Sequence, residues 1–116
     1  MVAGMAAMRE PTFLILTALA SGPRHGYGVI KDVGELSEGR VTLLAGTLYQ
    51  ALDRLAAEGM VELDHEERVD GRTRRYYRLT DAGRSALAER AEELRRAAEV
   101  ASSRLRTAGN PLPGLA

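Results

Sequence analysis

The sequence predicts a mainly α fold with one small β-hairpin (α+β), and three observations predict it. Three segments with helical periodicity come first. A stretch whose period changes to two then turns back on itself at an Asp-Gly pair. The last is a long helical run with a heptad repeat of Leu and Ala. Three helices, a two-stranded hairpin and a long final helix, in that order, describe a winged helix-turn-helix followed by a dimerisation helix.

The first helix is read from "PTFLILTALASGP", with Pro11 tolerated at its start, Gly22 and Pro23 at its stop, and Phe13, Leu16 and Leu19 sharing one side. A second helix is expected from about Gly26 to Leu36, with Tyr27, Ile30 and Val33 at helical spacing. "SEGR" reads as a turn, and Val41, Thr42 and Leu43 as a very short strand. In "AGTLYQALDRLAAEG" the residues Leu48, Leu52 and Leu55 fall on one arc at helical spacing, and Gly59 stops the helix. Val61, Leu63 and His65 then alternate with Glu62, Asp64 and Glu66, as in a strand with one covered face. "VDGR" is the hairpin tip and "RRYYRL" the returning strand, which places Tyr76 and Tyr77 on opposite faces. Thr80 caps the last helix, where Leu87, Ala91, Leu94, Ala98, Ala101 and Leu105 form the heptad seam.

Composition limits the function. The chain has 116 residues, about the size of one domain, and 45% of them are hydrophobic, enough for one core. Lys+Arg and Asp+Glu both number 16, which argues against a protein that sticks to polyanions by bulk charge alone, so any basic surface must be local. Without cysteine there is neither a disulfide framework nor a thiolate metal site. The start of the chain lacks the pattern of a secretory signal, and no apolar stretch approaches the roughly 20 residues of a membrane span. A soluble cytoplasmic protein is expected. Catalysis is not: no serine lies in a nucleophile elbow, "SGPRHGYG" matches no phosphate-cradling loop, and His25 and His65 belong to no catalytic motif. No cofactor and no metal are expected, and His25 is read as a cap of the second helix.

What the leucines of the third helix leave outside is the informative part. Gln50, Asp53, Arg54 and Ala57 lie on the opposite face, with Thr47 at its edge and Tyr49 at its flank. In a winged helix-turn-helix that face turns toward DNA, where glutamine pairs with adenine and arginine with guanine, so Gln50 and Arg54 are the expected base readers. Gly46, with no side chain, lets the amides at the helix start approach a phosphate. The hairpin changes sign at its tip: acidic residues crowd 58–67, whereas Arg68, Arg72, Arg74, Arg75 and Arg78 dominate the other side. Arginine suits phosphates and narrow minor grooves, and Arg72, Arg74 and Arg75 are the expected wing contacts, although charged residues also protect bare strand edges. Tyr27 and Tyr49 combine an apolar body with a hydroxyl that suits a phosphate.

The motifs "HGY" (His25 to Tyr27), "GTLYQAL" (Gly46 to Leu52), "RLAAEGMV" (Arg54 to Val61) and "DGRTRRYYRLTDAGR" (Asp70 to Arg84), with the long terminal helix, cover residues 10–106. Together they resemble the PadR family of bacterial transcriptional regulators, in its short form with a single C-terminal helix. The resemblance implies that the helix with Gly-Thr-Leu-Tyr reads DNA, that the hairpin is the wing and that the final helix pairs two protomers. Gln50 stands where the family usually has proline, and Leu44 where it often has a serine cap.

The expected organisation is a flexible N-terminus (1–8), a winged helix-turn-helix DNA-binding domain (9–80), a dimerisation helix (81–106) and a flexible tail (107–116). Phe13 and the first helix are expected to add to the dimer contact made by the seam. The expected function is that of a repressor which binds an inverted-repeat operator in double-stranded DNA as a homodimer. The resemblance also implies release by a small-molecule effector; the tryptophan clamp by which some relatives hold flat aromatic drugs has no counterpart, since the chain has no tryptophan. The alternative is a winged-helix module that binds a protein partner.

Overall fold

A computed structural model of the chain describes residues 8–109. It contains α1 (Glu10–Ala20), β1 (Arg24–His25), α2 (Gly26–Leu36), α3 (Ala45–Ala57), β2 (Val61–Val69), β3 (Arg72–Leu79) and α4 (Asp81–Thr107). The three strands form an antiparallel sheet in the order β1-β3-β2. Helices and wing follow the expected order. The expected flexible ends lie outside the described residues, apart from Met8, which packs against the core, and the last residues from Thr107 to Gly109.

The core is aliphatic. Leu14, Ile15, Leu16, Ala18 and Leu19 of α1 are all buried, so this helix is covered on most of its circumference and not along one stripe, while Phe13 is only partly buried. Helix α1 packs on α2, α4 and β3, which surround it. Leu48, Leu52 and Leu55 of α3 are buried as their spacing predicts, each contributing about 1.5–3 kcal/mol through burial. On α2 the covered residues are Val29 and Val33, with Ile30 partly covered. Tyr27, expected on that stripe, is 79% exposed, because it follows the buried Gly26 in the first turn and points away from the core.

Two differences from the sequence reading concern the strands. Residues 41–43 form no strand: the Val41 amide donates to Ser37 Oγ at 3.0 Å, which closes a turn after the positive-φ pair Glu38 and Gly39. The third strand is instead Arg24–His25, too short to show a period. It is held from behind by Arg24, whose Nε donates to the Ala18 carbonyl at 2.9 Å at the end of α1. The second difference is a β-bulge. Val61 and Leu63 oppose Leu79 and Tyr77, but His65 opposes Tyr76, with the register shift between Leu63 and His65. Asp64 is the extra residue, and it turns His65 to the face opposite Val61 and Leu63. Leu63 itself remains 47% exposed.

The tip is a two-residue turn in which Asp70 (φ 51°) and Gly71 (φ 77°) both take the left-handed conformation that a twisted hairpin favours. Thr80 caps α4: its Oγ1 accepts from the Gly83 amide at 3.0 Å. Gly83 is packed so closely on the Met60 carbonyl that a Cβ would collide with it, which fixes the angle at which α4 leaves the wing. Ala86 and, in part, Leu87 pack against the core, whereas every residue from Ala91 to Ala101 is exposed. Leu87, expected in the seam between protomers, is thus partly taken up by its own protomer.

Candidate nucleic-acid interface

An open groove of about 960 Å³ lies between the start of α2, Tyr49 of α3 and the outer half of the wing. Its helix side is built from His25, Gly26, Tyr27 and Tyr49, and its wing side from Glu66, Val69 and Asp70 together with Arg72, Thr73, Arg74 and Arg75. The Tyr49 hydroxyl occupies the space a Cβ on Gly26 would fill, so glycine there lets the tyrosine lie across the start of α2. His25 caps α2 by accepting from the Gly28 amide on Nδ1 at 3.2 Å. Burial pushes its imidazole below the ordinary value, and the positive charge of Arg74 acts in the same direction against a smaller opposing effect of Glu67.

The wing arginines are not equivalent. Arg78 is held by Glu62 at 2.8 Å and Asp64 at 3.2 Å, and Arg75 by Glu66 at 3.3 Å. Arg72 and Arg74 enter no ion pair among the described residues. Glu67 lies opposite Arg74 in register, yet its carboxylate accepts from the Tyr76 hydroxyl at 3.1 Å and faces His65 Nε2 at 3.6 Å. Tyr76 stacks on His65 with ring centroids 4.4 Å apart and meets His25 edge-on at 5.2 Å. The hydrogen bond between His65 Nδ1 and Asp64 Oδ2, at 2.6 Å, raises the His65 imidazole above its ordinary value and lowers the Asp64 carboxyl.

On α3, Gly46, Thr47, Gln50, Asp53 and Arg54 are all exposed. Leu44 offers no side-chain cap, and nothing lies within 4 Å of a Cβ built on Gly46, so the first amides of the helix are open to an acceptor. Arg54 leans toward α1, donating to Thr12 Oγ1 at 3.2 Å, and pairs with Glu58 at 3.7 Å. The structure therefore brings Tyr27, Tyr49, Arg72, Arg74 and Arg75 into one groove, with Gly46, Thr47 and Gln50 exposed on α3 and Arg54 turned aside. Thr73 and His25 also line the groove, although the sequence reading assigns neither to DNA; the register set by the Asp-Gly turn is the signal that could have found Thr73.

A family profile, the Transcriptional regulator PadR-like family, matches residues 15–89. The chain belongs to the PadR-like family. A transcriptional regulator of Mycobacterium tuberculosis is 46% identical over 99 residues, 83% of this PadR-like chain and 87% of the relative. A crystal structure of a PadR family transcription regulator from Clostridium difficile superposes with a TM-score of 0.68 at 26% identity, over 84% of this chain and 99% of that one. Bacillus subtilis PadR, solved in complex with operator DNA, shares the fold with a TM-score of 0.60 at 24% identity, over 70% of this chain and 46% of that one. PadR-like membership makes the chain a transcriptional regulator and not an enzyme. No helix among the described residues is long and apolar enough to cross a membrane.

Proposed function

We propose that the chain is a cytoplasmic repressor that binds an inverted-repeat operator in double-stranded DNA as a homodimer and releases it on binding a small molecule. The observation that carries DNA binding is the groove, where Arg72 and Arg74, without an ion pair among the described residues, face two tyrosines across a gap open to solvent. Arg72, Arg74 and the hydroxyls of Tyr27 and Tyr49 take backbone phosphates, and Arg75 joins them by exchanging Glu66 for a phosphate. Gly46 and Thr47 present the open start of α3 to another phosphate. Gln50 reads adenine, and Arg54 reads guanine after leaving Thr12 and Glu58, exposed contacts worth under about 1 kcal/mol. The B. subtilis PadR complex supports operator binding by this fold.

Residues 9–80 form the DNA-binding unit in this reading and residues 81–106 the dimerisation helix. The exposed seam supports the latter: Leu94 and Leu105 are 41% and 43% exposed, with Ala91, Ala98 and Ala101 between and beside them. Phe13, half-buried on α1, adds to the contact, as does Leu87. Release by an effector rests on the family resemblance. Gel shifts with the DNA upstream of the chain's own gene test the reading. A shift that resists unrelated competitor DNA is expected, and no binding at any salt concentration would favour the protein-binding module.

A further inference from the structure

Asp53 is exposed on the third turn of α3. At 3.6 residues per turn it lies about 60° around the helix from Gln50 and about 20° from Gly46, so the three share the outward face. Several other acids of the helix and wing are paired, Glu58 with Arg54 at 3.7 Å, Glu66 with Arg75 at 3.3 Å, and Glu62 and Asp64 with Arg78 at 2.8 and 3.2 Å, whereas Asp70 at the wing tip, like Asp53, has no ion pair among the described residues. Asp53 has neither an ion pair nor a side-chain hydrogen bond among the described residues. Arg54, the adjacent cation, is drawn away toward Thr12 on α1.

An unpaired carboxylate on a face turned to DNA is repelled by every phosphate, so it is compatible with tight binding only where a base offers it a donor. The major groove has two such donors, the N4 amino group of cytosine and the N6 amino group of adenine. Beside N6 adenine presents the N7 acceptor, which repels the second carboxylate oxygen, whereas beside N4 cytosine presents only a C–H. Cytosine is the base that fits.

We propose that Asp53 is a specificity-determining residue that accepts a hydrogen bond from the N4 amino group of a cytosine in the major groove. The proposal rests on the reading of the chain as a DNA-binding regulator. It also fixes a position: Gln50 and Asp53 are separated by a rise of about 4.5 Å along the helix, and base pairs by about 3.4 Å. With α3 lying along the major groove, the cytosine sits within one or two pairs of the one that Gln50 reads. On any other sequence Asp53 is a penalty, and it lowers affinity for non-matching DNA.

The test is a parallel selection from a randomised duplex pool by the full chain, Asp53→Ala and Asp53→Asn, followed by Kd measurement on the selected duplexes and their single-pair variants. The wild type is expected to require a C·G pair at one position in each half-site and to bind about five- to 150-fold more weakly on exchange to T·A. Asp53→Ala loses that discrimination and binds non-matching duplexes at least as tightly as the wild type. Asp53→Asn moves the preference at that position to adenine, whose N6 and N7 match an amide. If both variants select the wild-type sequence with the wild-type discrimination, or if Asp53→Ala binds all duplexes tighter by one common factor, Asp53 reads no base and the proposal falls while DNA binding stands. A wild type that selects no sequence overturns the proposal and the operator-binding reading together.

Discussion

Replacing Arg72 and Arg74 together with alanine separates positioned phosphate contacts from bulk charge. These two arginines face the groove without an ion pair among the described residues, whereas Arg75 and Arg78 are already held by Glu66 and by Glu62 with Asp64. Taking one arginine off a phosphate lowers the slope of log K against log salt by about 0.9. Two arginines per protomer make that about 1.8, and the proposed dimer about 3.6. Between about 50 and 200 mM salt, roughly 0.6 of a log unit, the affinity of the double variant should therefore fall about 150-fold less than that of the wild type. The comparison is Arg90→Ala with Arg96→Ala on α4, which removes the same charge from side chains paired to Glu93 at 3.2 Å and Glu92 at 3.8 Å. Fluorescence anisotropy over a salt series with one operator duplex gives both slopes. Equal slope changes in the two double variants would refute the positioned contact, since only bulk charge treats them alike.

Three further outcomes test the fold, the assembly and the wing. Gly83→Ala drives a Cβ into the Met60 carbonyl and should cost about 1–3 kcal/mol in chemical denaturation; Gly34→Ala, with nothing within 4 Å, should be neutral or stabilising, and equal effects would remove the packing argument. Leu94→Asp with Leu105→Asp should give a folded monomer in light scattering, because both side chains are exposed in the protomer, and an unchanged dimer would place the interface elsewhere. His65 has a raised folded-state value, so its contribution is fully present below its unfolded value near about pH 6.5 and is lost as pH rises through the folded one. His65→Asn should therefore destabilise more at about pH 5.5 than at about pH 8.5, and a cost equal at both would mean that stacking on Tyr76 alone matters.

Much of this architecture was legible because short-range rules govern it. The leucine arc of α3, the Asp-Gly turn and the Thr80 cap are each decided within a few residues, and each appears where the spacing puts it. What escaped depends on partners distant in sequence. Strand β1 exists because Arg24 and His25 meet Tyr77 and Tyr76 of β3, far along the chain. The bulge at Asp64 is invisible to a period-two reading, which assigns His65 to the wrong face. For the site, the arginine-rich strand was plain, but which arginines are free was not. Ion pairing across the hairpin depends on register, and register shifts at the bulge.

That shift links the neutral composition to a basic wing tip. With Asp64 as an extra residue, His65 lies over Tyr76, and the hydroxyl of Tyr76 reaches Glu67 at 3.1 Å. Glu67 would otherwise be the natural partner of Arg74, its register neighbour, and across from Arg72 stands Val69, which carries no charge. The acids of β2 therefore cancel the arginines near the base of the wing, Arg78 and Arg75, while an aromatic stack and an apolar partner leave those near the tip uncommitted. Sixteen positive and sixteen negative residues thus coexist with a locally basic edge. The segregation is by register and not by composition, which is why net charge says so little about where this chain would meet a polyanion.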